Sequence, residues 1–487
     1  MKQWLANLFG GNGHKAAVPA RRGGAIVARY DNAATTDENQ RNWIGSDYLS
    51  AKAANSFNVR RILRTRSRYE VSNNPYLFGI VNSNADDLIN TGPTLQLRTD
   101  NDKYNARVEK LWAEWWEEVG GVDKLRTCKL AKTIDGEGFT VLKTYEKLES
   151  LVKLYPVDIE ADQVTNPAPA NLTSFWVDGL TLDPVTGQPE SYSVLKHHPG
   201  DFFFPDMNPL KTETIPAANV IQWFNKFRPG QVRGVPTFTS ALDLFTQLRA
   251  FRIAVLNNVQ LSAAYTAVLE SQYSALDDGD VEIEAFKRVA IDRGMMATLP
   301  AGVTMKAFDS KQPGTTYEMF QEKCLGEACR PLNYPLNLAL GTSQKFNFSS
   351  AKLDHINYRN GLNVERAQCN TVFLNPLFKQ WYMEAVLAGA IEAYDGMKAA
   401  PHEWHWPGYE SLDPVTDAAA DHDRLAAGTL TYREFWARRG YDWRDVVKQQ
   451  ATEKKELAKL GLEFGDPVTR SITETTDANA EEVANAV

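Results

Sequence analysis

The sequence predicts an α+β fold, with long helices on both sides of a small antiparallel β domain. Three observations carry that prediction. Apolar residues recur at helical spacing before residue 135, between 237 and 270, and again after 349. Residues 138–227 instead hold short runs rich in Val, Phe, Trp and Tyr, and turn chemistry built on Pro and Gly separates them.

The first firm element begins with a basic stretch, NVRRILRTRSRYE, whose Arg60, Arg61, Arg64, Arg66 and Arg68 spread around a helix. Such a charge run is expected to be a solvated or subunit-contacting face rather than a polyanion patch. In NNPYLFGIVNSNADDLINTGP, Asn74 is the expected cap, Pro75 fits the first helical position where no N–H is needed, and Gly92 with Pro93 supplies the stop. Val108, Leu111, Trp112, Trp115 and Val119 then fall on one stripe, which assigns the tryptophans to core.

GFTVLK, FWVDGLTL, SYSVLK, DFFF and NVIQWFNKF read as strands, and DPVTGQP between two of them is a turn in which Pro184 and Gly187 supply the fixed and the permissive backbone. After RPGQVRGVP the period changes. No Pro or Gly interrupts Thr237 to Glu270, so a helix about 50 Å long is expected there. Residues 271–312 turn acidic and read as one helix followed by strands; YEMFQEKCLGEACRPL is a second helix ending near Pro331 and Pro335.

The stretch GTSQKFNFSS, residues 341–350, then breaks the pattern with a polar loop that carries one lysine, Lys345. From Ser349 the chain reads as helix again, with Tyr358, Leu362, Cys369 and Phe373 at helical offsets. Asn357, Asn360, Asn363 and Asn370 make it polar enough to suit packing among copies of itself or beside water, and Pro376 is expected to kink or restart it. An aromatic loop, HEWHWPGYE, and further helical stretches follow; the last twenty or so residues, acidic and rich in Thr and Ala, are expected to be disordered.

The chain has 487 residues, 43% hydrophobic and 23% charged, enough for several cores of ordinary size. Its formal net charge of −8 disfavours general nucleic-acid affinity, so a DNA partner needs local basic sites. Cys128, Cys324, Cys329 and Cys369 form no CxxC pair and no Cys/His cluster, which points to free thiols. No apolar run reaches the length of a membrane span, and the N-terminal segment is too short and broken for a signal peptide.

The search for chemistry returns mostly negatives. There is no GxxxxGK[ST] loop to cradle phosphates, no GxSxG elbow and no HExxH. Asp135 and Glu137 in DGEG read as a solvated bend. His402 and His405 have helical spacing suited to a shared metal, but Trp404, Trp406 and Pro407 argue for an irregular packed loop; His197 and His198, adjacent on a strand, point apart. No catalytic group, metal or cofactor is assigned.

Three segments together carry a resemblance: RTRSRYEVSNNPYLFGIVNSNADDLINTG, IPAANVIQWFNKFRPGQVRGVPTFTSAL, and YEMFQEKCLGEACRPLNYPLNLALGTSQKFNFSSAKLDHINYR. In that order and at about the expected spacing, they resemble the portal proteins of tailed bacteriophages, closest to the lambda type. PGQVRGVP is the most specific match, and the likeness runs from about residue 60 to about residue 450.

That resemblance implies a portal fold. Residues 1–56 would be an N-terminal arm, partly disordered; 57–236 the wing with its β domain; 237–270 and 317–334 the two stem helices; and 271–316 the clip between them. Residues 335–350 would hold the tunnel loop, 351–411 a long wing helix and the loop after it, 412–465 a helical crown, and 466–487 the disordered tail. It also implies a ring, usually of twelve copies, at one capsid vertex. The ring would pass double-stranded DNA without reading its sequence, and its partners would be the terminase large subunit, a head–tail adaptor and the major capsid protein or scaffold. Such a protein would be no enzyme, would reside in the virion after assembly in the host cytoplasm, and would need no membrane.

On that basis Thr342, Ser343, Gln344, Lys345, Phe346 and Asn347 are expected to project into the channel, with Phe346 and Phe348 alternating if the loop is extended. Asp277, Asp278, Asp280, Glu282 and Glu284 are expected to face the motor from a clip whose strands pair with the adjacent copy. The rival readings are a ring-forming capsid or scaffold component without a DNA channel, and a hydrolase built on the His402 region.

Overall fold

The computed structural model describes residues 40–166, 176–201, 211–264, 267–271, 303–307, 316–396, 398–409 and 413–461. The chain divides into two units, Met1–Ser50 and Ala51–Val487. In the first, the described part is a 3-10 turn over Gln40–Trp43, closed by the Ser46 hydroxyl donating to the Trp43 carbonyl at 2.8 Å, and an irregular stretch to Ser50.

After a single helical turn over Ala51–Ala54, the second unit continues with helices α1 (Phe57–Asn73) and α2 (Pro75–Ile89). The Asn74 side chain between them accepts from the Tyr76 and Leu77 N–H groups at 3.1 and 3.4 Å, with Pro75 at the first helical position. Asn90 at φ 52° and Gly92 at φ 92° then turn the chain away from the helix axis. Strand β1 (Thr94–Leu97) leads to α3 (Asp102–Glu118) and α4 (Gly121–Ile134). As the periodicity predicts, Val108, Trp112, Trp115 and Val119 are buried. Trp112 packs its ring 5.5 Å from Phe378 and 5.3 Å from Trp381, which brings the later helix α9 (Asn375–Leu387) against α3.

The β region is two antiparallel sheets. In one, β2 (Glu137–Thr144) lies between β3 (Leu154–Ile159) and β8 (Val220–Phe224). In the other, β4 (Trp176–Val177), β5 (Leu180–Leu182), β6 (Pro189–Leu195) and β7 (Thr212–Pro216) run in sequence order. The DPVTGQP segment closes the β5–β6 hairpin, with Gly187 at φ 68° and the Gly187 N–H donating to the Asp183 carbonyl at 2.8 Å. Phe139, Val141, Leu180, Leu182, Tyr192 and Val194 form a second small core between the sheets. Phe202, Phe203 and Phe204 of the expected DFFF strand lie outside the described residues.

Helix α5 is shorter than its sequence suggests, spanning Leu242–Ala264. Residues before it form turns, and after it Ala267–Ser271 is strand β9, paired antiparallel with β10 (Val303–Ala307). The missing Pro and Gly were a poor guide here: their absence permits a helix without requiring one, and the β-branched Val268 suits the pleated backbone of β9. Asp277, Asp278, Asp280, Glu282 and Glu284 lie between β9 and β10, outside the described residues, as do the first 39 residues and those after 461.

Helix α6 (Thr316–Ala328) ends before Pro331, followed by the short helix α7 (Leu336–Leu340) and α8 (Phe348–Cys369). As expected, the helix restarts at Pro376. A π turn over Asn370–Leu374 lies between α8 and α9, so Pro376 falls near the first turn of α9, where its missing N–H costs little. The 402–409 region contradicts the expected irregular loop: His402–His405 is strand β11, in register with Thr94–Leu97. Helices α10 (Pro414–Ala426), α11 (Tyr432–Ala437) and α12 (Trp443–Lys459) complete the described chain.

Candidate functional site

Gly341 at φ 68° caps α7 in the left-handed region, and the Thr342 N–H donates to the Asn337 carbonyl at 3.2 Å. The loop that follows is tighter than an extended segment. The Phe346 N–H donates to the Ser343 carbonyl at 3.1 Å, closing a turn around Gln344 and Lys345, and the Asn347 side chain caps α8 by accepting from the Ser349 N–H at 3.3 Å. Phe346 and Phe348 therefore do not alternate along a strand: Phe346 is half-buried in the turn and Phe348 opens α8, exposed.

Lys345 is turned onto α6, where its ammonium donates to Glu322 at 3.1 Å and also pairs with Glu318. The hydrogen bonds from Glu318 and Glu322 raise its pKa, although the ammonium stays in solvent. The loop thus presents a lysine already matched by two carboxylates. Thr342, Ser343, Gln344 and Asn347 are exposed beside it.

The PGQVRGVP segment has a structural explanation that the sequence did not offer. Arg233 is buried, and its Nε donates to both oxygens of Glu137 at 2.9 and 3.0 Å, while its Nη atoms reach the carbonyls of Val164 at 3.1 Å and Ala161 at 3.2 Å. Glu137 also accepts from Gly234 N–H and from Gln222, each at 3.0 Å. A side chain cannot be added at Gly234, since its Cβ would lie 2.1 Å from the Gly136 carbonyl oxygen. The segment is a buckle that fastens the end of β2.

The solvated-bend reading of Asp135 and Glu137 is overturned by the same contacts. Arg60, Arg64 and Arg68, four residues apart, share one face of α1 and turn inward. Arg68 grips Asp135 bidentately at 2.7 and 2.6 Å, Arg64 reaches Glu137 at 3.2 Å and Asp162 at 2.6 Å, and Arg60 reaches Asp178 at 2.5 Å. Burial acts to raise the Glu137 pKa, but the guanidiniums of Arg233, Arg64 and Arg60 outweigh it and hold the carboxyl below its ordinary range. Burial pushes Asp135 upward in spite of the Arg68 fork. Only Arg61 and Arg66 keep the exposed position expected of the whole basic run. An i, i+4, i+8 count along Arg60, Arg64 and Arg68, set against the acids of DGEG, was the signal available in the sequence.

A second buried pairing joins α4 to α8. Lys129 and Lys132 both donate to Glu365 at 2.6 Å. Burial raises the Glu365 pKa, but the two ammoniums prevail and bring it to about 2.

Glu160, Asp162 and His198 are the one group among the described residues with metal-ligand spacing, their ligand atoms lying within 4.8 Å of one another. The hydrogen bonds argue against a metal. The Gly200 N–H donates to His198 Nδ1 at 3.0 Å, which leaves the imidazole proton on Nε2, the atom that faces the acids. Arg68 already holds both carboxylates, each at 2.9 Å. His402 and His405, three apart on β11, point to opposite faces, and His402 is engaged by the Ala400 carbonyl at 2.8 Å and Asn375 at 3.2 Å.

Helix α8 shows an exposed row of large apolar side chains: Leu353 at 63%, Ile356 at 42% and Val364 at 73% exposure. Its opposite face buries Tyr358, Leu362, Arg366 and Cys369. Ile253, Leu256, Met319 and Phe320 are likewise exposed on α5 and α6. No helix among the described residues is long and apolar enough to cross a membrane.

Comparison with known proteins gives these features a family. The chain is 25% identical over 287 residues to a protein named "Probable portal protein" from Halomonas phage phiHAP-1; the match covers 56% of this chain and about half of that relative, 54%. Among solved structures, the chain is similar to one in the neck of a native gene transfer agent particle computed with C12 symmetry, at TM-score 0.42 and 14% identity over 78% of this chain and 92% of that one. It is also similar to one in the neck of an empty particle computed with C6 symmetry, at TM-score 0.40 and 15% identity over 76% and 91%. The family model for phage portal protein, lambda family, matches residues 37–366, and the chain therefore belongs to that family.

Proposed function

We propose that the chain is a portal subunit, copies of which close into a ring of about twelve at one capsid vertex. Through the ring the terminase large subunit would drive double-stranded DNA inward, and from it the DNA would leave toward a head–tail adaptor. Its places are the host cytoplasm during assembly and the virion afterwards, with the major capsid protein or scaffold around it. The observation that carries the reading, beside family membership, is α8: a long helix with one face in the core and an apolar row, Leu353, Ile356 and Val364, left in solvent by a single chain. Exposed apolar rows of this kind mark an interface, and in a ring every copy supplies the partner.

In this proposal the 342–347 loop faces the channel. DNA sliding past a wall must not be gripped, because each phosphate neutralised releases counterions and deepens the trap. A lysine paired with Glu318 and Glu322 suits that requirement, since a phosphate must displace carboxylates to reach it. Deleting Ser343 to Asn347 is expected to leave ring assembly intact and to impair packaging or retention of DNA; a deletion mutant that fills capsids and retains DNA normally would end the assignment. Charge reversal at Glu282 and Glu284 is expected to weaken terminase docking with rings intact, and unchanged docking would remove the clip assignment.

A further inference from the structure

A groove of about 430 Å³ opens between the tip of the β5–β6 hairpin and the loop that follows β8. Its walls carry Lys52, Lys226 and Arg228, together with Phe227, which is 66% exposed. No Asp or Glu stands among the described residues that line it. Among the described residues neither Lys52 nor Lys226 enters an ion pair, and Lys226 lies 5.7 Å from the centre of the Phe224 ring. Asp183, the acid of the hairpin tip, is turned to its own chain, where it accepts from the Val185 N–H and the Thr186 hydroxyl, each at 2.7 Å. The far rim is held in shape from beneath. Buried Gln231 accepts the Phe227 N–H at 2.8 Å and donates to the Arg233 carbonyl at 2.8 Å, while Gly187 and Gly230, at φ 68° and 76°, turn the two rims. A site whose backbone is already fixed loses little to ordering when something binds.

We propose that this groove seats the chain's own acidic segment, residues 471–487, with its carboxylates on Lys52 and Lys226. Glu474, Asp477, Glu481 and Glu482 fall in that segment with no Lys or Arg among them, which complements the groove in sign, and Ile472 and Val483 supply apolar contact for Phe227. The chain from 462 to 487 can extend by up to about 90 Å. Its tether also keeps the segment at high effective concentration near its own body. The other acidic run, Asp277 to Glu284, is tied at both ends to β9 and β10. A duplex would meet the same lysines with its phosphates, but its backbone has nothing apolar to set on Phe227. Seated in the groove, the segment shields it from polyanions by occupying the cations they would neutralise.

The test is carbodiimide cross-linking of the full-length protein at neutral pH, which joins an ammonium to a touching carboxylate with loss of water and leaves no spacer. Linked peptides are sequenced from the band that runs as a single chain on a denaturing gel. Lys52 or Lys226 is expected to link to Glu474, Asp477, Glu481 or Glu482, at a yield like that of Lys345 with Glu322, which lie 3.1 Å apart. Absence of those links where the Lys345–Glu322 link forms would overturn the proposal, and so would links from the two lysines to residues 277–284, or links found solely between chains. Shielding has its own readout on a heparin column. Glu474→Gln, Asp477→Asn, Glu481→Gln and Glu482→Gln together are expected to raise the salt needed for elution, and adding Lys52→Gln and Lys226→Gln to cancel most of that rise. An equal shift from the lysine pair with and without the four acids would show the groove uncovered and end the idea. Neither readout depends on the ring, so failure here leaves the portal reading as it stands.

Discussion

Glu137 is fully buried and held by two arginines, and what matters for such a residue is the consequence of losing a partner. Removing one side of a buried, hydrogen-bonded charge pair leaves the other uncompensated, at a cost of about 3–5 kcal/mol. Arg233→Met and Glu137→Gln are therefore expected to lower the thermal midpoint substantially in a melting experiment, whereas Arg61→Ala, on the exposed face of α1, should leave it nearly unchanged. Equal midpoints for Arg233→Met and Arg61→Ala would contradict the account. The acid limb follows from the same groups. A carboxyl whose folded pKa is depressed contributes stability above its ordinary value, and that stability is lost as pH falls through the folded one. Glu365, ordinary at 4.5 and brought to about 2, should thus be a source of acid lability below pH 4.5, and Glu365→Gln should flatten the stability profile there while lowering stability at pH 7.

At the scale of elements, the β2 buckle and the α8 face make separable predictions. Gly234→Ala brings a Cβ to 2.1 Å from a carbonyl oxygen of the neighbouring backbone, so the strand end must shift. A loss of about 1–3 kcal/mol is expected in chemical denaturation, without any change of surface. Val364→Asp makes the reverse case. At 73% exposure it should leave the folded subunit nearly as stable, yet lower ring yield in size-exclusion chromatography; a full yield of rings would remove α8 from the interface. These elements were legible in the sequence to different degrees. The α3 tryptophan stripe and the Asn74–Pro75 cap could be read directly, because periodicity and capping are local. The strand at 402–405 could not, since its partner lies some three hundred residues earlier and nothing in HEWH alternates clearly. The end of α5 was misplaced because the absence of Pro and Gly says only that a helix is permitted.

For the whole molecule, the balance of acid and base has two layers. Inside, arginines and lysines are consumed by Asp135, Glu137, Asp162, Asp178 and Glu365; on the loop at 341–347, Lys345 is consumed by Glu318 and Glu322. A net charge of −8 thus coexists with cations that, at these positions, are matched by carboxylates rather than offered to a polyanion. The family was readable from PGQVRGVP and its flanking segments, but what those residues do was not, because Arg233 finds Glu137 only in three dimensions. The role proposed for the 342–347 loop rests solely on the resemblance, as polar loops of that composition serve many ends. The central claim is that this chain works as one member of a ring, with its α8, α5 and α6 apolar rows covered by neighbours. Native mass spectrometry of the purified full-length protein at micromolar concentration and moderate salt tests it most directly: the account predicts a closed oligomer of about twelve subunits, and a stable monomer under those conditions would contradict it.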